Sequence, residues 1–162
     1  MLTTVTNSTR TLTINPAFLQ EIKDDNRHLR DLRTALKALI TNTAVLNGHR
    51  RRLVTLLNEL CDQLAFHFAL EEAYGYFDDA VDIAPRLTAI AEKLRSQHSV
   101  LFTTLVDIVV DAEDAERNGF PSERFDNIVE RVRDFDDALS EHEADETTVI
   151  FEAMDRDIGG EG

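Results

Sequence analysis

The spacing of four histidines constrains this chain more than any other feature of its sequence. His28, His67, His98 and His142 each stand in a segment where apolar residues recur every three or four positions, the period of a helix with one buried face. In an antiparallel helical hairpin, residues equally far from the turn lie side by side, so the midpoints between successive histidines should be turns. The midpoint of 28 and 67 is the Asn47-Gly48 junction, that of 67 and 98 falls in Asp82-Ile-Ala-Pro85, and that of 98 and 142 is Phe120, between Gly119 and Pro121. All three are helix-end or turn signals. The chain is expected to fold so that its four imidazoles share one layer.

Punctuation and periodicity give the same four segments. Asn15-Pro16 is an N-cap followed by proline at the first helical position, and Ile22, Leu29, Leu32, Leu36, Leu39 and Leu46 follow as one stripe, ended by Asn47-Gly48. Leu53, Leu56, Leu60, Leu64, His67, Glu71 and Tyr74 form the second stripe, which fades by Asp82. Leu87, Ile90, Leu94, His98, Leu101, Leu105 and Ile108 form the third, up to Asn118-Gly119. Phe120-Pro121 opens the fourth, with Ile128, Val132, Phe135, Leu139, His142, Glu146, Val149 and Ala153. Strand alternation is absent. The expected architecture is all-α, an antiparallel up-down-up-down four-helix bundle over residues 15–158, with a disordered lead at 1–14 and a frayed C-terminus at 159–162.

A formal charge of -14, from 31 acidic and 17 basic side chains among 162 residues, argues against nucleic acid or an anionic membrane surface as a partner, since both attract through phosphate. The N-terminus lacks the basic and apolar regions of a secretion signal, and the most apolar stretch, Val100 to Val110, is short and carries Asp107. A cytoplasmic location is the expectation. One cysteine, Cys61, excludes an internal disulfide and is read as a small buried hydrophobe.

His67 and Glu71 are four residues apart, as are His142 and Glu146, so each pair shares a helix face. Burying such groups without partners costs several kcal/mol, on the order of 2–7 for a neutral polar group and more for a charge. A bound metal would remove that cost. His28, His67, Glu71, His98, His142 and Glu146 are therefore the candidate metal ligands, and His49, off the stripes, is not. Four nitrogen donors and two carboxylates suit a first-row transition metal pair; calcium and magnesium want more oxygen, and structural zinc usually takes cysteine. With both carboxylates bridging, each metal keeps a position for a small molecule. Tyr74 is expected inward, as core packing with a satisfied hydroxyl or as a partner of the centre. Asp25 is read as a solvated charge, with the orientation of an imidazole as the alternative. Glu72 and Glu143 are read as surface.

The pattern His28, His67-Phe-Ala-Leu-Glu71, His98, His142-Glu-Ala-Asp-Glu146 resembles the H, HxxxE, H, HxxxE signature of the hemerythrin-like (HHE cation-binding) family, over roughly Asn15 to Asp157. The resemblance implies a non-haem di-iron centre, oxo- or hydroxo-bridged, with the four histidines as terminal ligands and Glu71 and Glu146 as bridges. It departs from the oxygen carriers at two points. Phe102 stands where those carriers have a second histidine on the third helix, and the last carboxylate is Glu146 at a four-residue spacing where they have Asp at five. The implied activity is binding of, or reaction with, a small ligand such as O2, NO or peroxide; an iron-handling or sensing module, with metal occupancy controlling stability and a partner contact, is the alternative.

Overall fold

The computed structural model describes residues 16–73 and 85–159, with side chains described for 20–73 and 85–152. Among these residues the chain is all-α. Helix α1 spans Pro16–Thr41, α2 Thr43–Gly48 and α3 Arg50–Ala73; after a single 3₁₀ turn at Pro85–Leu87 come α4, Thr88–Arg117, and α5, Ser122–Gly159. None of them is long and apolar enough to cross a membrane.

The first expected helix is broken once. Asn42 leaves the helical conformation (φ −106°, ψ 101°) and its side chain accepts from the Val45 amide at 3.2 Å, so it caps the short helix α2. Thr41-Asn42-Thr43 places three residues that compete for backbone hydrogen bonds in a row, which is why a stripe that continues to Leu46 does not carry the helix through. The turn after α4 follows the expected signal. Gly119 adopts φ 73°, the left-handed conformation glycine takes without a Cβ penalty, and the Gly119 and Phe120 amides return to the carbonyls of Glu116 and Ala115.

Helix α3 packs against α1 on one side and α4 on the other, α4 packs against α5, and α1 touches α5 only slightly. The position of α3 between two neighbours explains its wide apolar face: Leu53, Val54, Leu56, Leu57, Leu60, Leu64, Phe68 and Leu70 are all buried. Every described member of the four expected stripes is buried except Ile22, which is half-buried, and Ile90, which is exposed on the first turns of α4. Cys61 is half-buried against this core. Burial and the neighbouring Asp62 push its thiol pKa up, away from reactivity.

The slight α1–α5 contact is polar. Arg33 reaches across it, donating to Asp136 Oδ1 (3.0 Å), to Ser140 Oγ (2.6 Å) and to Glu143. At the far end of the core, Arg51 and Glu116 lie 4.0 Å apart, and Arg124 and Arg131 pair with Asp114 and Asp111. Such exposed pairs contribute about 0–1 kcal/mol each.

Candidate metal centre

Among the described residues, six buried polar or charged side chains stand out against the leucine core: Asp25, His67, Glu71, His98, His142 and Glu146. Helix α3 supplies His67 and Glu71 one turn apart, α4 supplies His98, and α5 supplies His142 and Glu146. Donor atoms of Glu71, His98, His142 and Glu146 all lie within 4.8 Å of one another. His67 joins through Glu71, whose two oxygens face different rings: Oε1 is 2.8 Å from His67 Nε2 and Oε2 is 2.9 Å from His98 Nε2. Glu146 Oε1 lies 2.6 Å from His142 Nε2 and 3.3 Å from His98 Nε2.

All three imidazoles are turned the same way. His67 Nδ1 donates to Asp25 Oδ2 at 2.6 Å, His142 Nδ1 donates to Gln97 Oε1 at 2.7 Å, and His98 Nδ1 makes a long contact of 3.4 Å with Glu72 Oε1. A ring whose Nδ1 carries the proton presents a lone pair at Nε2, which is how metal-bound histidines are fixed by an outer acceptor. Here those lone pairs face carboxylate oxygens. Glu71 Oε2 and His142 Nε2 are buried and, although close to each other's neighbours, lack any aligned hydrogen bond. Lone pairs that converge without alignment suit a shared cation, and nitrogen with oxygen donors and no sulfur suits a first-row transition metal.

In the metal-free protein, protons have to fill that role. Burial opposes charge on His67, but the hydrogen bonds and charges of Glu71 and Asp25 outweigh it and hold its pKa up at about 9. Burial likewise opposes charge on His98, where Glu146 and Glu71 prevail and raise it to about 9. Glu71 is held down at about 2, against its own burial, by His67 and His98.

The structure corrects two expectations on α1. His28 is exposed and joins no part of the cluster, whereas Asp25, three residues earlier, is 4% exposed. Two helical patterns compete here: 28, 32, 35, 39 would turn His28 inward, and 25, 29, 32, 36 turns Asp25 inward. The second prevails because Leu29 and Leu36 are the deeper pair, at 2% exposure each against 7% for Leu32 and Leu39. Asp25 is thus no solvated charge; it accepts from Gln63 Nε2 at 2.6 Å as well as from His67. His28→Ala is expected to leave metal content and melting temperature unchanged, whereas Asp25→Asn is expected to weaken metal binding about 10- to 100-fold, the usual cost of losing an outer partner of a ligating histidine. Chelator competition on the two variants checks both.

Other residues emerge only in three dimensions. Phe68 stacks on the His98 ring (4.1 Å between centroids, 10° between planes) and meets His142 edge-on at 5.9 Å, giving the centre an apolar wall. Gln97 is a second such residue. A signal for Phe68 existed in the doubled apolar positions of α3, such as Leu56-Leu57 and His67-Phe68; none marks Gln97. Glu72, read as a surface residue, is exposed and makes only the long contact with His98, whereas Glu143, read likewise, is half-buried and pairs with Arg33. Phe102 is half-buried against the core. Tyr74 lies outside the described residues.

Searches of curated proteins and of solved structures each give no match. The family model of the hemerythrin HHE cation-binding domain matches residues 17–154, a segment that contains every residue of the His/Glu cluster. The chain belongs to the hemerythrin HHE cation-binding domain family.

Proposed function

We propose that this protein is a non-haem iron protein, built as an antiparallel up-down-up-down four-helix bundle, that binds or reacts with a small ligand such as O2, NO or peroxide. The observation that carries the reading is the common orientation of three imidazoles, Nδ1 held by an acceptor and Nε2 turned to two buried carboxylates. Glu71, His98, His142 and Glu146 would hold one iron, and His67 with the remaining oxygen of Glu71 a second. The two positions are unequal, because α1 contributes Asp25 behind His67 where a fourth imidazole was expected. Iron supplies redox change and Lewis acidity when bound. The chain's own residues fix the rings, exclude bulk water through Phe68 and the leucines around it, and leave the His67 side more open.

Metal analysis with an optical spectrum tests this. The expected result is one tightly held iron and a second more easily removed, with near-ultraviolet absorption that changes on adding azide or NO. Protein that is colourless and metal-free after Fe(II) and air would overturn it. The iron-handling alternative is favoured by one observation: the cluster joins α3, α4 and α5, so occupancy bears directly on stability. Bound iron that is inert to NO and peroxide yet raises the melting temperature strongly would select that reading.

A further inference from the structure

The three inward imidazoles are held from behind by three different kinds of group. His67 Nδ1 donates to the Asp25 carboxylate at 2.6 Å, His142 Nδ1 donates to the neutral amide oxygen of Gln97 at 2.7 Å, and His98 Nδ1 has only its 3.4 Å contact with the exposed Glu72. The His98 ring is steadied instead by the stacked face of Phe68. One ring of the three therefore rests on a buried negative charge.

That charge has no answering cation in the protein. Asp25 is 4% exposed, its two oxygens accept from the neutral Gln63 Nε2 and from His67, and no arginine or lysine pairs with it among the described residues. Arg33, two turns further along α1, is committed to Asp136, Ser140 and Glu143 on α5. A carboxylate buried among neutral donors alone costs several kcal/mol, on the order of what an unpaired buried ion costs after relaxation, so positive charge at the far nitrogen of the His67 ring is what would offset it. With a metal on Nε2, the ring keeps its remaining proton on Nδ1, and a carboxylate acceptor there makes the imidazole a more basic donor. Attraction to that added negative charge grows with the charge of the metal, so it favours a trivalent ion over a divalent one. Gln97 has nearly the shape of glutamate and orients His142 without the charge.

We infer that Asp25 and Gln97 are positioning residues that set the reduction potentials of the two proposed irons separately, the Asp25 carboxylate lowering that of the iron held by His67 and the neutral Gln97 leaving that of the iron held by His142 higher. The inference rests on the iron reading above and adds control of oxidation state to it. Each reduction adds one electron, supplied in the test by an electrode through soluble dye mediators, and turns a trivalent iron divalent. The test is a potentiometric titration of the full-length, iron-loaded chain, followed by its optical spectrum, for the natural protein, Asp25→Asn and Gln97→Glu, with iron content and melting temperature measured alongside. Asp25→Asn keeps the shape, and a turned Gln63 amide keeps both hydrogen bonds, so the variant removes charge alone. It should shift the preference toward divalent iron at least about tenfold, a potential raised by at least about 59 mV for one electron, and Gln97→Glu should lower the other potential by a similar amount. A purely structural role for either residue would weaken both oxidation states equally and leave the potentials in place. An unmoved potential in either variant, or a shift of opposite sign, overturns the inference alone. Where Asp25→Asn loses its iron, Gln97→Glu decides by the same criterion. A chain that takes up no iron overturns the proposed function and the inference with it.

Discussion

Glu71→Ala is expected to empty the metal centre, with apparent affinity falling at least about 100-fold, beyond the loss typical of an outer partner. The reason is geometric. Glu71 is the residue whose two oxygens face two different rings, His67 at 2.8 Å and His98 at 2.9 Å, so its loss removes a donor from both proposed positions together. Glu146→Ala should remove the shared oxygen near His98 and His142 but leave the His67 side intact, and lose less. Glu71→Gln separates charge from shape: one oxygen survives, and the affinity should fall between those of the natural protein and the alanine variant. Equilibrium competition against a chelator, with circular dichroism to confirm that each variant is folded, checks the order. Full retention of metal by Glu71→Ala would overturn the ligand set.

The second large effect is linkage between metal and protons. His67 and His98 both carry protons near neutral pH in the metal-free protein, because their pKa values stand at about 9. A metal must displace both, so uptake at pH 7.5 should release about two protons, and apparent affinity should rise about 100-fold per pH unit until pH approaches 9. Titrations in two buffers of different protonation enthalpy count the protons directly. The same shifts fix how stability without metal responds to pH. For the raised imidazoles, stabilisation is complete below the unfolded value of 6.5 and is lost as pH rises through about 9. For Glu71 it is complete above 4.5 and is lost as pH falls toward about 2. Metal-free protein should therefore be most stable between roughly pH 4.5 and 6.5 from these groups, and loading should raise the melting temperature more at pH 8 than at pH 6.

What could be read from the sequence, and what could not, divides along two coordinates of a helix. Distance from a turn gives height, and the histidine midpoints located the layer: His67, His98 and His142 do meet. Height says nothing about direction around the axis. For α3, α4 and α5 the apolar stripe is continuous on both sides of the histidine and fixes direction as well. On α1 the histidine stands mid-helix, but Leu32 belongs both to the pattern that turns His28 inward and to the one that turns Asp25 inward, so spacing leaves the direction undetermined, and it is Asp25 that turns inward. The Nδ1 partners were harder still. Gln97 is brought to His142 by the α4–α5 contact and Asp25 to His67 by the α1–α3 contact, and sequence spacing encodes neither. Arg33 likewise gains its meaning from residues more than a hundred positions away.

The Arg33 clasp has a mechanical corollary. On the proposed ligand set the metal ties three long helices to one another and stops short of the first, which reaches the centre through Asp25 and the last helix through the guanidinium groups of Arg33 and Arg133. Loading should then stiffen the molecule unevenly, drawing α3, α4 and α5 into one body directly and reaching α1 only through its packing on α3 and the Asp25–His67 hydrogen bond.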